Sequence, residues 1–294
     1  MASDKVKNNL LIGPDPSNAR LSKPVQAVNE FGVVEDLSVI TEVPLTIYLN
    51  SQEIVTAMTI GDYPEYLALG FLRNQRMLRA DEVVTAVVFD EETEAVIVRT
   101  ERATNYEEKL KRRTRTSGCA VGTVFGDVMD GLDDIHLPEV LVKTSWIYTL
   151  SKAINQMPSL YLTTGAIHGT VLCQEDQPLV YMEDVGRHNA VDKIAGWLFS
   201  EGQTGRDKIL YTTGRLTSEM VIKTIQMEIP VLISRSGFTA WGVEIAEKYG
   251  LTLIGRLRGQ RFQCVSGHKR LTFDIDPTHA PKEDAKLRRK GAKQ

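Results

Sequence analysis

The chain has 294 residues, 42% of them hydrophobic and 25% charged, with a formal net charge of −3. The length suffices for one large packed domain or two modest ones, and the composition excludes a mostly disordered protein. A net charge this small excludes bulk electrostatic recruitment to nucleic acid or membrane, so any basic site has to be local.

Residues 1–24 are polar, carry Pro14 and Pro16, and lack the apolar core of a secretion signal. They read as a flexible lead-in. No run reaches the roughly 18–20 apolar residues that span a bilayer. A cytoplasmic protein with no membrane and no nucleic-acid partner is expected. The three cysteines, Cys119, Cys173 and Cys264, are too sparse for a disulfide framework and lack the paired spacing of structural zinc. No protein-ligated metal is expected.

A small sheet with one helix is predicted over about 33–102. Leu45-Thr46-Ile47-Tyr48-Leu49 alternates up to Asn50-Ser51, and a second alternating run over 53–59 completes a hairpin. Residues 63–78 have helical spacing, with Leu67, Phe71 and Leu78 on one face. Two more strands, 85–89 and 95–100, flank an acidic turn. The stretch 101–126 is polar, basic and glycine-bearing, which marks a linker or a functional loop. Helical spacing resumes over 137–157, with Ile147, Leu150, Ile154 and Met157 aligned.

The remainder alternates strands and helices. Strands are predicted at 160–164, 169–174, 179–182, 208–213, 230–234 and 251–255, and helices at 189–199, 218–227 and 240–249. That order predicts a doubly wound, mostly parallel sheet covered on both faces. Ligands of such sheets sit beyond the carboxyl ends of the strands. There the sequence places Thr213-Gly214-Arg215, Ser234-Arg235-Ser236-Gly237 and Gly255-Arg256-Leu257-Arg258. The basic tail 277–294 reads as solvated.

Three stretches could carry chemistry. Cys119 follows Arg112, Arg113 and Arg115 between Gly118 and Gly122. Nearby cations favour the thiolate, and the glycines let a loop present it. A small buried thiol beside a basic loop is the competing reading. His136, His168 or His188 could each pair with Cys119, and spacing singles out none. The second stretch is Glu183-Asp184-Val185-Gly186-Arg187-His188-Asn189-Ala190-Val191-Asp192-Lys193, between a strand and a helix. A helix start favours anions and Arg187 and His188 could add to it; a capped helix with solvated charges is the alternative. The third is the recurrence of Arg215, Arg235, Arg256 and Arg258 at strand ends, able to grip phosphates bidentately or to stand as independent surface residues. A Walker-type phosphate loop, a GxSxG elbow and the zinc-deaminase signature are all absent.

At these residues the chain resembles the formate dehydrogenase accessory sulfurtransferases, the FdhD family. The 183–193 motif carries the resemblance most specifically. Glu42-Val43-Pro44-Leu45, Leu67-Ala68-Leu69-Gly70-Phe71-Leu72, Thr164-Gly165-Ala166-Ile167-His168 and Thr213-Gly214-Arg215-Leu216-Thr217-Ser218-Glu219-Met220-Val221 follow in the family's order, over about 33–266. The resemblance implies an α/β protein in which a C-terminal, cytidine-deaminase-like, three-layer domain (137–276) follows a smaller N-terminal α+β domain. That smaller domain spans 25–136 and includes a mobile loop at about 103–126.

The resemblance also implies a homodimeric sulfurtransferase. Cys119 would receive sulfane sulfur from a cysteine desulfurase as a persulfide. It would pass the sulfur to the molybdenum bis(molybdopterin guanine dinucleotide) cofactor, a bound substrate that then activates formate dehydrogenase. The cofactor-binding stretch falls on Arg256, Leu257, Arg258, Gly259, Gln260 and Arg261; Arg187, His188, Arg215 and Arg235 are the further cofactor-binding candidates. Two departures stand out. Gly122 occupies the second place of the usual Cys-x-x-Cys, and Arg235-Ser236-Gly237-Phe238-Thr239 replaces an Ala-Pro-Thr-like run. One thiolate still suffices for persulfide transfer. A chaperone that binds the cofactor without chemistry is the alternative function, and an unrelated nucleotide-binding enzyme is the third.

Overall fold

A hairpin opens the described part of the chain in this computed structural model, which describes residues 10–78, 81–102, 113–114, 123–124, 129 and 131–279. Its strands, β1 (Ser22–Val28) and β2 (Val34–Ile40), pair antiparallel. The Asn29 carboxamide oxygen accepts the Phe31 and Val33 N–H groups at 3.0 and 3.1 Å and closes the turn. The lead-in expected over 1–24 is therefore too long. Leu11 donates its N–H to the Leu179 carbonyl at 2.8 Å, and the Tyr181 N–H reaches the Ile12 carbonyl at 2.9 Å.

The next strands, β3 (Val43–Leu49) and β4 (Gln52–Thr59), turn at Asn50, whose φ of 56° suits a short polar residue. Helix α1 (Pro64–Asn74) starts on proline. After it come β5 (Val84–Asp90) and β6 (Ala95–Thr100). The sheet order is β4-β3-β6-β5, with β3 and β6 parallel. One face of this sheet, Leu45, Ile47, Leu49, Val96 and Val98, is buried against Leu67, Phe71 and Leu72 of α1. The alternation read from the sequence is this two-sided packing.

Two short paired strands, β7 (Arg113–Thr114) and β8 (Thr123–Val124), follow. The residues joining them, with Cys119 and Arg115, lie outside the described residues, as do Arg112 and 280–294 of the basic tail.

The helix expected over 137–157 is shorter. Strand β9 (Val142–Lys143) precedes α2 (Thr144–Gln156). Asp274 sets the start: its carboxylate accepts the Ser145 N–H at 3.0 Å, the Ser145 hydroxyl at 2.6 Å and the Thr144 hydroxyl at 3.1 Å. Those bonds draw its pKa down to about 2. The strand expected at 160–164 is instead a short helix, α3 (Leu160–Thr164). The buried Glu183 carboxylate takes the Leu160 and Tyr161 N–H groups at 2.7 and 3.2 Å, and Thr163 and Thr164 fold their hydroxyls back onto the Leu160 carbonyl. A capping partner distant in sequence overrides the β preference of two threonines.

The rest runs β10 (His168–Gln174), β11 (Gln177–Asp184), α4 (Arg187–Ser200), β12 (Ile209–Thr212), α5 (Ser218–Gln226), β13 (Val231–Ser234), α6 (Ala240–Lys248), β14 (Thr252–Arg258), β15 (Arg261–Ser266) and β16 (Leu271–Thr272). Six of these strands form one sheet, ordered β11-β10-β12-β13-β14-β15. The expectation of a mostly parallel sheet is corrected. Only β12, β13 and β14 run parallel, and an antiparallel hairpin lies at each edge. The hairpins arise because 174–177 and 258–261 are too short for a helical crossover. Helices α4, α5 and α6 bury Val191, Ile194, Val221, Ile225 and Ile245 against one face. Helix α2 covers the other with Ile147, Leu150 and Ile154. The sheet is thus the middle of three layers. No helix among the described residues is long and apolar enough to cross a membrane.

Helices α1 and α4 cross at contact distance. A methyl group on Gly70 would lie 1.7 Å from the Asp192 carbonyl oxygen, and one on Gly196 would lie 1.9 Å from that of Tyr66. Both positions need glycine for close backbone approach rather than for unusual dihedrals.

Candidate functional site

The ends of β12 and β13 are tied into one rim by side chains of the residues that terminate them. Thr212 accepts the Gly214 N–H at 3.2 Å. Ser234 donates its hydroxyl to the Gly214 carbonyl at 2.7 Å and accepts the Ser236 N–H at 2.9 Å. The Ser236 hydroxyl reaches the Thr213 carbonyl at 3.0 Å, and the Arg256 N–H reaches the Ser236 carbonyl at 2.8 Å. The small hydroxyl residues after each strand thereby hold Arg215, Arg235 and Arg256 on neighbouring loops.

Arg187, the first residue of α4, packs against Gly214, where a methyl group would meet its Cβ and Cδ at 3.0 Å. The Arg235 guanidinium lies 4.5 Å from the centre of the Tyr161 ring, a cation–π contact that holds its plane. His168, the first residue of β10, stands with its Nδ1 3.4 Å from the Thr213 hydroxyl. Burial, then the positive charges of Arg187, Arg235 and Arg215, hold His168 below the ordinary histidine range, while Asp184 pulls the other way. The half-buried imidazole thus favours its neutral form, with three arginines opposing its protonation. Such a rim suits a phosphate or diphosphate.

Most of the 183–193 motif does a different job. Asp184 accepts the Thr59 hydroxyl at 2.5 Å, the Asn189 side-chain amide at 2.9 Å and the Gly186 N–H at 3.0 Å. Lys193, fully buried, pairs with Asp184 at 2.7 Å and with Asp62. Asp192 pairs with Lys223 at 2.6 Å and accepts from Asn74 at 2.6 Å. Thr59, Asp62 and Asn74 come from β4, the loop after it and α1, so the motif bolts the first sheet and helix to the second sheet. Glu183 caps α3, and its burial lifts the carboxyl to about 7.

His188 points inward, 3.4 Å from Glu219; burial, then Lys223 and Arg187, push it down to about 2, so it is neutral. Of the motif's cofactor-binding candidates, Arg187 is the one at the rim. Leu257 is buried in the core beneath α2, whereas Arg256 and Arg258 are exposed. Arg256, Gln260 and Arg261 line a cavity of about 730 Å³ with Thr144, Tyr148 and His268. Gly259, with φ 57°, makes the turn between β14 and β15. The sequence reading missed Tyr161 and Thr213 as parts of the rim. The Thr213-Gly214-Arg215 motif contained one of them; nothing local marked the other.

Cys119 lies outside the described residues. Cys173 is buried, and burial pushes its thiol far up; the half-buried Cys264 is also raised. Neither favours a thiolate. Among the described residues no group of three or more His, Cys, Asp or Glu could hold a metal ion.

Residues 40–272 match the FdhD/NarQ family model. The chain is 30% identical to the sulfur carrier protein FdhD of Listeria monocytogenes over 249 residues, covering 83% of this chain and 95% of the relative. It is 29% identical to that of Bacillus subtilis over 82% of this chain and 93% of the relative. A crystal structure from Desulfotalea psychrophila, solved as that of a candidate formate dehydrogenase accessory protein, superposes with a TM-score of 0.69 at 26% identity. The match covers 85% of this chain and 98% of that one. The chain belongs to the FdhD/NarQ family.

Proposed function

We propose that this protein is a sulfur carrier for a formate dehydrogenase, with Cys119 as the persulfide residue and the arginine rim as the seat for the guanine-dinucleotide phosphates of its molybdenum cofactor substrate. The observation that carries the reading is the pair of tied strand ends that bear Arg215 and Arg235, with Arg187 packed on Gly214, Arg235 over the Tyr161 ring and His168 beside the Thr213 hydroxyl. Relatives named as sulfur carriers support it. So does elimination among the thiols, since Cys173 and Cys264 are both disfavoured as thiolates.

In this mechanism the Cys119 thiolate attacks the terminal sulfur of a cysteine desulfurase persulfide. The new S–S bond forms as the donor's S–S bond breaks, and the donor leaves as a thiolate. Arg113 and its basic neighbours Arg112 and Arg115 favour the attacking anion. The acceptor is held by bidentate contacts from the rim, with Arg256, Arg258 and Arg261 extending the cationic surface along the β14–β15 hairpin. The three-layer part is read as a cytidine-deaminase-like domain following an α+β domain. The working unit is read as a homodimer, for which the exposed Val28, Phe31 and Val34 of the first hairpin offer apolar contact.

Incubation with a cysteine desulfurase and cysteine, followed by intact mass spectrometry, should add one sulfur to the wild type and none to Cys119→Ser. Equal gain by Cys119→Ser removes the assignment. Gly122, which deprives the loop of a second thiol, favours a chaperone as the other reading; a Cys119→Ala variant that fully restores formate dehydrogenase activity in cells would select it.

A further inference from the structure

His168 is a titratable group at the rim whose surroundings favour the uncharged ring. Arg187 and His188 face it from α4, Arg215 from the loop after β12 and Arg235 from the end of β13. Asp184 stands opposite it in the β10–β11 pairing, but that carboxylate is already engaged by Lys193, Thr59 and Asn189. Three guanidinium groups act against one shared carboxylate.

The Thr213 hydroxyl oxygen accepts the Gly169 N–H at 3.0 Å while lying 3.4 Å from His168 Nδ1. In the neutral ring the Thr213 hydroxyl can therefore donate to Nδ1, leaving the proton on Nε2. A phosphate seated among the three arginines reverses the balance of charge at the ring. The ring can then bind a second proton at Nδ1, and Thr213 turns its hydrogen away from the ring toward the ligand. One O–H donor is redirected and one N–H donor is created, with the proton taken from solvent.

We propose that His168 is the proton-coupled member of this anion site: it takes up a proton when a phosphate or diphosphate group seats among Arg187, Arg215 and Arg235. The proposal rests on the rim being an anion site, as argued above. It adds a ligand-facing cation that exists only in the occupied state, and a hydroxyl donor that is freed with it.

The test is isothermal titration calorimetry of the full chain with inorganic pyrophosphate and with guanosine diphosphate near pH 7. Buffers of different ionisation enthalpy are compared. The dependence of the heat on buffer enthalpy reports protons exchanged. The wild type should bind several tenths of a proton more per ligand than His168→Gln, and the ratio of their affinities should rise as pH falls from about 8 to 6, by at most about tenfold per unit, since the slope equals the difference in protons bound. His168→Gln should still bind but take up none. It should show net release, because arginines draw the proton off a partly protonated phosphate.

Equal proton exchange by wild type and His168→Gln, whatever its sign, overturns the proposal. Binding by both with no difference in exchange sinks the coupling and leaves the phosphate seat intact; absence of binding of both ligands sinks both. Should His168→Gln fold poorly, the His168 ring resonances of the wild type decide. Their titration midpoint must move to higher pH when pyrophosphate saturates the site, and a midpoint that stays still or falls refutes the idea.

Discussion

Replacing Lys193 by methionine should destabilise the protein severely at neutral pH and much less in acid. Lys193 is buried and lies between Asp184, at 2.7 Å, and Asp62. Asp184 keeps three other donors, from Thr59, Asn189 and Gly186, so the larger burden of losing the ammonium falls on Asp62. Breaking a buried ion pair from one side costs about 3–5 kcal/mol. At about 2–4 °C per kcal/mol, the melting temperature should fall by roughly 10 °C at pH 8.

The sign of the pH dependence follows from the carboxylates. Burial already raises Asp62, with Lys193 pulling against it and Asp184 adding to it. Without Lys193 the Asp62 carboxyl rises further. A carboxylate raised in the folded state costs stability above its folded pKa, and the cost disappears as pH falls toward the unfolded value. The deficit of Lys193→Met relative to wild type should therefore shrink between pH 8 and pH 5, and Asp62→Asn in the same chain should recover part of it at pH 8. Thermal melts followed by far-ultraviolet circular dichroism measure this. A shift under about 2 °C at pH 8, or a deficit that grows toward acid, would refute the assignment of Lys193 as the counter-charge of both carboxylates.

Two further outcomes test the packing and the rim. Gly70→Ala should cost about 3 kcal/mol in urea unfolding, because its methyl group would meet backbone rather than a yielding side chain; a cost below about 1 kcal/mol would mean that the α1–α4 crossing relaxes freely. Arg256 has a φ of 53° within β14, a conformation costing about 1–2 kcal/mol in a residue with a Cβ. Arg256→Gly should therefore melt higher than Arg256→Ala while both bind pyrophosphate more weakly than wild type. Equal melting of the two variants would remove backbone strain from the account of that position.

Much of the fold was legible because its signals are local. The hairpin at Asn50, helix α1, strands β5 and β6, and the alternation from β10 to β14 follow from periodicity and turn residues within a few positions. The failures share a cause. Strands β1 and β2 show mixed, mostly exposed faces, with Val28, Phe31 and Val34 in solvent, so no alternation between an inner and an outer face marks them. Helix α3 forms because Glu183, more than twenty residues on, caps it. The start of α2 is set by Asp274, from the far end of the chain.

For the candidate site, residue type alone put arginines at the ends of β12, β13 and β14, because parallel strands share a carboxyl edge. Family motifs in the sequence pointed to Arg187 and to the 256–261 hairpin. Which members of the motif hold the protein together was decided by packing. Glu183, Asp184, Asp192 and Lys193 look like a site in one dimension, yet in the fold Glu183 caps α3 while Asp184, Asp192 and Lys193 are engaged with one another or with Thr59, Asp62, Asn74 and Lys223. The lowering of His168 likewise depends on burial first, and then on three arginines separated from it by 19 to 67 positions; burial and Coulomb interactions both depend on arrangement in space, which only the folded chain supplies.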